Sequence, residues 1–497
     1  MLSLVSKYFK TRTTRQLAFL RLGPNEARIL YDFAISVIAS IGAILFFYFF
    51  IDQSFQLVLL SAPIFFICAN ALLGTYSRFR MANWRAKIFI ITIATFSTSI
   101  LLTLFKIKLS AVIFWWMLVT PPLILARFFL SLPYSKHKNL TISITQRHGP
   151  VLITGGAGYI GSCLTELLLK KGFSVRILDR LMYGRGVLAD FEKNQKFELI
   201  EGDVTDIESL TRAMKGVWAV VHLAGLVGDA ACSLDQEFTR HMNIISTRMV
   251  KDVACAMGVS RFIFASSCSV YGMSDKELKE TDELNPLSLY AQSKIDSENE
   301  LLSTSRDDFF VTVLRFSTVF GHSRRARFDL VGNLFTAQAM NEGHVTVIGP
   351  HQYRPFIHVT DLARALHIVL DSKPFLIQNQ IFNVGDQRFN LSILDLAKIV
   401  KGISEQEGRQ VAIFINDQDI SDKRNYYVSF EKIQKILGFQ AKTQLEDGIR
   451  EMIYHFKNGT YSHYKDEVYN NARVTKKTMN EFYDPLQSMK LYAPLKK

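Results

Sequence analysis

The chain has 497 residues and a hydrophobic fraction of 48%, enough for two or three domains and a large core. Its formal net charge of +13 raises the question of nucleic acid, but no nucleic-acid-binding motif accompanies it. The basic residues instead gather beside apolar runs, where anionic lipid headgroups suit them. The five cysteines, Cys68, Cys163, Cys232, Cys255 and Cys268, form neither CxxC pairs nor metal-ligand spacings, so reduced thiols in a cytosolic compartment and no bound metal are expected.

In chain order, residues 1–30 form a basic segment compatible with an interfacial helix or a disordered tail. Four runs without a charged side chain follow, Phe33 to Ile51, Gln53 to Ser77, Ile88 to Phe105 and Leu109 to Ala126. Each has roughly the twenty residues that cross a hydrocarbon core. Residues 31–132 are therefore predicted to be a four-helix transmembrane domain, its last helix kinked at Pro121 and Pro122. Basic residues precede the first run, lie between the second and third (Arg78, Arg80, Arg85, Lys87) and follow the fourth, while the opposite loops offer only Lys106 and Lys108. By the positive-inside rule both termini and the rest of the chain face the cytoplasm. Residues 133–148 are polar and read as a linker.

Beyond the linker an apolar strand, Val151 to Thr154, runs into Gly155-Gly156-Ala157-Gly158-Tyr159-Ile160-Gly161 and then a helix, Ser162 to Lys171. This G-x-G-x-x-G spacing provides a tight turn, a backbone that a pyrophosphate can approach and a helix packed closely on its sheet. A second strand, Ser174 to Leu178, ends at Asp179, about twenty residues past the glycines, where a carboxylate accepts from a ribose 2′-hydroxyl. That charge repels a 2′-phosphate and favours NAD over NADP; Arg180 next to it is the one residue that would welcome the phosphate. Strand Phe197 to Ile200 leads to Asp203, placed to hydrogen-bond adenine. Strand Trp218 to His222 leads to Leu223-Ala224-Gly225, small enough for close approach to the cofactor. A long helix from about Gln236 to Met257 carries Asn243. Alternating strands and helices of this kind predict a Rossmann-like, doubly wound parallel α/β sheet.

Strand Arg261 to Ala265 runs into Ser266-Ser267-Cys268-Ser269-Val270-Tyr271-Gly272, and further on stands Tyr290-Ala291-Gln292-Ser293-Lys294. Tyrosine and lysine at i and i+4 share one helix face. A nearby ammonium favours the phenolate, so the pair, with Ser267 sharing the proton, suits a base that takes a carbinol proton as hydride leaves for NAD.

The motifs TGGAGYIG (Thr154 to Gly161), GDVTD (Gly202 to Asp206), HLAG (His222 to Gly225), SSCSVYG (Ser266 to Gly272), YAQSK (Tyr290 to Lys294) and RPFIHVTD (Arg354 to Asp361) occur in an order that resembles the extended short-chain dehydrogenase/reductase family. Within it, the resemblance is to nucleotide-sugar epimerases and dehydratases, over residues 149–455. It implies a smaller C-terminal substrate subdomain, mainly 318–455, leaving 456–497 as a tail. It also implies that Tyr290 is the catalytic base, that Lys294 lowers its pKa and holds the nicotinamide ribose, and that Ser267 completes the relay. Cofactor contacts are expected from Gly155, Gly158, Tyr159, Ile160, Gly161, Asp179, Arg180, Asp203, Val204, Leu223, Ala224, Gly225 and Asn243, and substrate contacts from Ser267, Thr318, Arg354 and Arg424. Arg354 matches the arginine that grips the sugar-nucleotide diphosphate; for Arg424 a salt bridge is the alternative. The family's dehydratases carry an Asp-Glu pair directly after the active serine or threonine, where this chain has Cys268 and Ser269. The lysine that epimerases carry after HLAG is Val227 here, and their substrate-contacting asparagine is Thr318.

Cys268 reads as a small packed residue rather than a nucleophile. Arg324, Arg325 and Arg327 read as an exposed basic face, with a diphosphate or lipid headgroup as the alternative, and His358 as a positioning residue at a helix start. The expected protein is thus a homodimeric, multi-pass protein of a bacterial inner membrane with a cytoplasmic NAD-dependent sugar epimerase domain. Its substrate would be a nucleotide sugar or polyprenyl-diphosphate sugar in polysaccharide or cell-envelope glycan synthesis. Two alternatives stay open: a dehydrogenase, reductase or dehydratase of a sugar nucleotide or membrane lipid, and a non-catalytic scaffold that senses NAD.

Overall fold

The structure is a computed structural model; it describes residues 149–482, except 305–307, 417–423 and 462, and Val37 alone before them. The four apolar runs, their orientation and the linker up to residue 148 lie outside the described residues. Among the described residues no helix is long and apolar enough to cross a membrane.

The chain alternates strand and helix: β1 (Val151–Thr154), α1 (Tyr159–Lys170), β2 (Val175–Asp179), β3 (Phe197–Glu201), α2 (Ile207–Met214), β4 (Ala219–His222), α3 (Asp229–Cys232), α4 (Gln236–Arg240), α5 (Ser246–Ala256) and β5 (Arg261–Ser267). After β6 (Met273–Leu278) come α6 (Leu289–Leu302), β7 (Phe310–Phe316) and β8 (Thr318–Phe320). The C-terminal part adds α7 (Val331–Glu342), β9 (His344–Ile348), β10 (Tyr353–His358), α8 (Val359–Asp371), α9 (Pro374–Ile377), β11 (Gln380–Val384), β12 (Asn390–Ser392) and α10 (Ile393–Gln406). It ends with β13 (Ala412–Asn416), β14 (Asn425–Val428), α11 (Glu431–Leu437), α12 (Leu445–Lys457) and α13 (Asn471–Phe482).

Seven strands form one sheet in the order β11-β7-β5-β4-β1-β2-β3, parallel at every pairing. Their near-continuous apolar runs follow from burial on both faces. Val151 and Ile153 enter one core and Leu152 the other; Ala219 and Val221 enter the first and Val220 the second. Chain order reverses between β1 and β4, which opens the crevice above their C-terminal ends where ligands of such sheets bind. Smaller sheets are β12-β10-β8, β13-β9 and β14-β6, the last joining the C-terminal part to the segment after β5; the C-terminal part has its own core, which includes Phe320, Phe335, Val345, Phe356, Leu396 and Ile449.

The structure departs from the sequence reading at two elements. The helix expected over Gln236–Met257 is present and runs without a break from Gln236 to Ala256, but α4 and α5 are joined in it through a π-turn over His241–Ile245. Hydroxyls line the π-turn: Ser246 Oγ donates to the Met242 carbonyl at 2.7 Å, and Thr247 Oγ1 and Ser297 Oγ both donate to the Asn243 carbonyl, at 2.6 and 3.1 Å. They claim carbonyls that a regular helix would use. The tail expected beyond residue 455 is instead folded as far as residue 482, with Tyr461, Asn471, Val474, Thr475 and Thr478 buried.

Behind the crevice, β5 and α6 are tied by a buried ionic network that no sequence period announces. Glu298 and Arg315, each 2% exposed, pair through two bonds of 3.1 and 2.7 Å. Ser266 Oγ donates to the same carboxylate, and Arg315 donates to the Tyr271 hydroxyl at 2.9 Å. Removing one partner strands the other charge, which costs about 3–5 kcal/mol. Glu298→Ala is therefore expected to lower unfolding free energy by that amount, measured by urea titration; a loss under about 1 kcal/mol would show that the network carries little stability.

Candidate active site

The dinucleotide cradle is built by close backbone approach. A Cβ on Gly155, whose φ is +75°, would lie 2.8 Å from the Ala224 amide nitrogen, and one on Gly161 would lie 2.5 Å from the Gly155 carbonyl oxygen. Both positions exclude side chains, so the turn after β1 rests directly on the Leu223-Ala224 backbone. Helix α1 starts after Gly158 with no side chain capping it, which leaves the first-turn amides of Tyr159, Ile160 and Gly161 suited to an anion.

Asp179, at the end of β2, accepts from the Ala157 amide at 2.9 Å and the Leu181 amide at 2.8 Å. Burial pushes its carboxyl up, and these two amides pull it back. The second bond holds Leu181 in a left-handed conformation, φ +58°. Arg180 lies 3.1 Å from Asp203 Oδ2, so the cation suited to a 2′-phosphate is paired with a carboxylate. The other Asp203 oxygen accepts from Thr205, at 2.8 Å from the amide and 2.9 Å from the hydroxyl, and Val204 is buried beside it. These residues fit NAD: an anion site on α1, a carboxylate at ribose distance and no uncommitted arginine next to it.

The three predicted catalytic residues come together. Ser267 ends β5 and accepts from the Ser269 amide at 3.2 Å. Ser288 caps α6 by accepting from Ala291 and so sets Tyr290 and Lys294 on successive turns, 8% and 5% exposed. Lys294 Nζ donates to the Ala265 carbonyl at 2.8 Å and sits 5.7 Å from the Tyr290 ring centre.

Their electrostatics differ from the expectation. Burial pushes the Tyr290 phenol well above its ordinary value; the Cys232 thiol and Asp229 add to this, while the Ser267 hydrogen bond and Arg327 oppose it. Lys294 is itself pulled down to about 8, chiefly by burial. Through its bond to the Ala265 carbonyl, Lys294 orients the end of β5.

Other predicted residues are spent on the protein itself. Asn243 Oδ1 accepts from the Leu226 amide at 2.7 Å, and Nδ2 donates to the Leu226 carbonyl at 3.1 Å and to Ser293 Oγ at 3.0 Å. These bonds pin the loop after β4 to the catalytic helix. Arg354, 5% exposed, donates to the carbonyls of Tyr353 and Arg424. Arg424 forms the alternative salt bridge, 3.0 Å from Asp229 Oδ2. Thr318 opens β8 and is partly buried. His358 caps α8, its ring accepting from the Thr360 amide and its Nε2 lying 3.0 Å from Glu451.

Cys268 is 1% exposed, donates to the Arg315 carbonyl at 3.3 Å and has its thiol pushed up by burial, as a packed residue should. The basic cluster is not an exposed face: Arg325 and Arg327 are buried at 4% and 8%. Arg327 pairs with Asp329 at 2.9 Å, while Arg324 pairs with Asp190 and Glu166. Sequence reasoning missed Asp229 and Arg327 as charges near Tyr290 because both arrive from loops distant in the chain. Among the described residues no cluster of side chains is placed to hold a metal ion.

Residues 151–385 match the NAD dependent epimerase/dehydratase family. The uncharacterized UDP-glucose epimerase YtcB of Bacillus subtilis is 29% identical over 315 residues, covering 61% of this chain and 96% of its own. Human dTDP-D-glucose 4,6-dehydratase is 29% identical over 332 residues, with coverage of 63% and 91%. Among solved structures, MoeE5 in complex with UDP-glucuronic acid and NAD superposes with a TM-score of 0.56 at 29% identity, over 63% of this chain and all of its own. UDP-glucose 4-epimerase of Thermotoga maritima, solved with UDP-glucose, does so with a TM-score of 0.56 at 26% identity, over 63% of this chain and 99% of its own.

The Lys294 shift has a direct consequence. Folded Lys294 releases its proton near 8 while the unfolded residue holds it to about 10.5. Between these values the unfolded state binds more protons, so stability rises with pH. In the NAD-free protein the melting temperature is expected to gain from this group between about pH 8 and 10, and Lys294→Met removes that gain. Scanning calorimetry of both proteins across the range checks it.

Proposed function

Since residues 151–385 belong to the NAD-dependent epimerase/dehydratase family, we propose that this chain is an epimerase of a diphosphate-linked sugar, tethered to a membrane by its N-terminal region. The cofactor is NAD, which when bound takes hydride from a sugar carbinol and gives it back. Tyr290 takes the carbinol proton as its phenolate, the form that the positive charges of Lys294 and of NAD would favour once NAD is bound; Ser267 orients the hydroxyl, and Lys294 also holds the end of β5 against α6. Exclusion of water by the buried surroundings strengthens each of these polar contacts. The keto sugar then turns over in the site, and the proton and hydride return to its opposite face.

One observation carries the choice of reaction. Elimination of water needs an acid and a base next to Ser267, and the two following side chains are Cys268 and Ser269, both buried. A thiol whose pKa is driven up by burial and whose proton is bonded to a backbone carbonyl cannot serve. The keto sugar therefore has reduction as its exit. The cations assigned to the diphosphate are Arg354 and Arg424, which would trade their bonds to the Tyr353 and Arg424 carbonyls and to Asp229 for it; Thr318 is assigned to the sugar.

The similarity to MoeE5, solved with UDP-glucuronic acid and with UDP-glucose, supports a uridine diphosphate hexose or hexuronate as substrate. The four uncharged runs before residue 127 and the basic bias around them support the tether, with the catalytic part on the cytoplasmic side. A polyprenyl-diphosphate sugar presents the same diphosphate and is the second substrate class to test.

Incubation of the detergent-solubilised full chain and NAD with UDP-, GDP-, CDP- and dTDP-sugars and lipid-linked sugars, with products read by NMR, is expected to give an inverted carbinol carbon. A product lacking one water would overturn the assignment. Tyr290→Phe is expected to lower turnover by about 10²–10⁴-fold, and unchanged turnover would revive a non-catalytic role.

A further inference from the structure

The segment after α12 turns back onto the catalytic crevice. Phe328 gathers its aromatic residues, with ring centres 5.5 Å from Phe456, 5.1 Å from Tyr461, 5.7 Å from Tyr464 and 5.2 Å from Tyr469. The Phe328 amide donates to the Tyr469 carbonyl at 3.0 Å. Anchored in this way, the chain enters α13 at Asn471, which is 6% exposed.

Asn471 joins three loops. Its Oδ1 accepts from Arg325 at 2.7 Å and from the Tyr183 hydroxyl at 3.3 Å, and its Nδ2 donates to the Val227 carbonyl at 3.2 Å. Tyr183 follows Asp179 on one side of the crevice and Val227 follows Gly225 on the other, so one side chain spans the gap between β2 and β4. Arg325 makes no ion pair among the described residues. Its guanidinium lies 3.7 Å over the Tyr183 ring and its Nε is buried without a hydrogen-bond partner, so Asn471 and the Val468 carbonyl are what hold it. Two turns further on, Met479 packs against the small cluster that contains Tyr290, Leu226 and Cys232. The matched family ends at residue 385, so α13 lies outside what the family description covers.

We propose that α13 is the outer wall of the active site in this chain, with Asn471 as a positioning residue that clasps the two sides of the crevice and Met479 limiting what can lie on the catalytic tyrosine. A ligand seated on α1 is then enclosed by a segment of the chain's own C-terminal end. The substrate part of this assignment rests on the epimerase reading; the clasp does not.

The test uses the full chain in detergent. Release of NADH, followed by its fluorescence, is expected to be at least about tenfold faster in Asn471→Ala, equivalent to about 1.4 kcal/mol. Asn471→Asp keeps the acceptor for Arg325 and Tyr183 but loses the donor to Val227, and it is expected to fall between wild type and Asn471→Ala. Met479→Trp is expected to raise KM for the UDP-sugar tenfold or more while kcat changes less than threefold. Wild-type NADH release in both Asn471 variants overturns the clasp, and an unchanged KM in Met479→Trp overturns its role at the tyrosine. If Asn471→Ala does not fold, Asn471→Asp decides the first point. If NADH release shifts while the wild type epimerises no sugar, the wall stands and the reaction assignment falls.

Discussion

The contact between two backbones at the reversal of the sheet sets everything above it. With Gly155 turned so that a side chain would collide with the Ala224 amide, the loops after β1 and β4 lie against each other and the crevice takes its width from that contact. Helix α1 then points its uncapped start into the space, and Asp179 reaches it through the Ala157 amide. A bulkier residue at position 155 would lift one loop off the other and separate the dinucleotide cradle from the end of β4.

Around this contact, polar side chains that touch no ligand hold the chemistry in place. Asn243 ties the loop after β4 to Ser293, between Tyr290 and Lys294 on α6. Glu298, one turn past Lys294, ties the same helix to Ser266, the neighbour of Ser267. His222, pushed down to about 3 by burial, stays neutral and bridges Thr154 and Thr247 at 2.7 and 3.1 Å. A proton relay must hold its atoms within a few tenths of an ångström, and these cross-links are how a sheet of short strands achieves it.

What was legible in the amino-acid order was whatever has a local period or a local steric demand. The apolar runs of β1, β2, β4 and β5 announced a sheet covered on both faces, the glycines announced the cradle, and the spacing of Tyr290 and Lys294 announced one face of α6. Residues whose meaning lies in distant partners were not legible. Arg325 looked like part of an exposed basic patch because nothing nearby in the chain hints at Tyr183 or Asn471. The segment beyond residue 455 looked like a tail because its aromatic residues have no helical spacing and gather around Phe328, more than a hundred residues earlier in the chain. The long helix through Asn243 was legible in its apolar spacing, and only the π-turn inside it was not, since the hydroxyls that bond its carbonyls come from its own next turn and from α6.

That interrupted helix sets regularity against purpose. The π-turn over His241–Ile245 holds one residue more than an α-turn would, so shortening the stretch by one would yield a smoother and intrinsically better helix. The same excision would swing the amide at position 243 by about 100° around the helix axis, away from Leu226 and Ser293. The π-turn is thus where this chain gives up helical economy to aim a single side chain, and improvement of local geometry there would undo the alignment of a reaction centre on another helix.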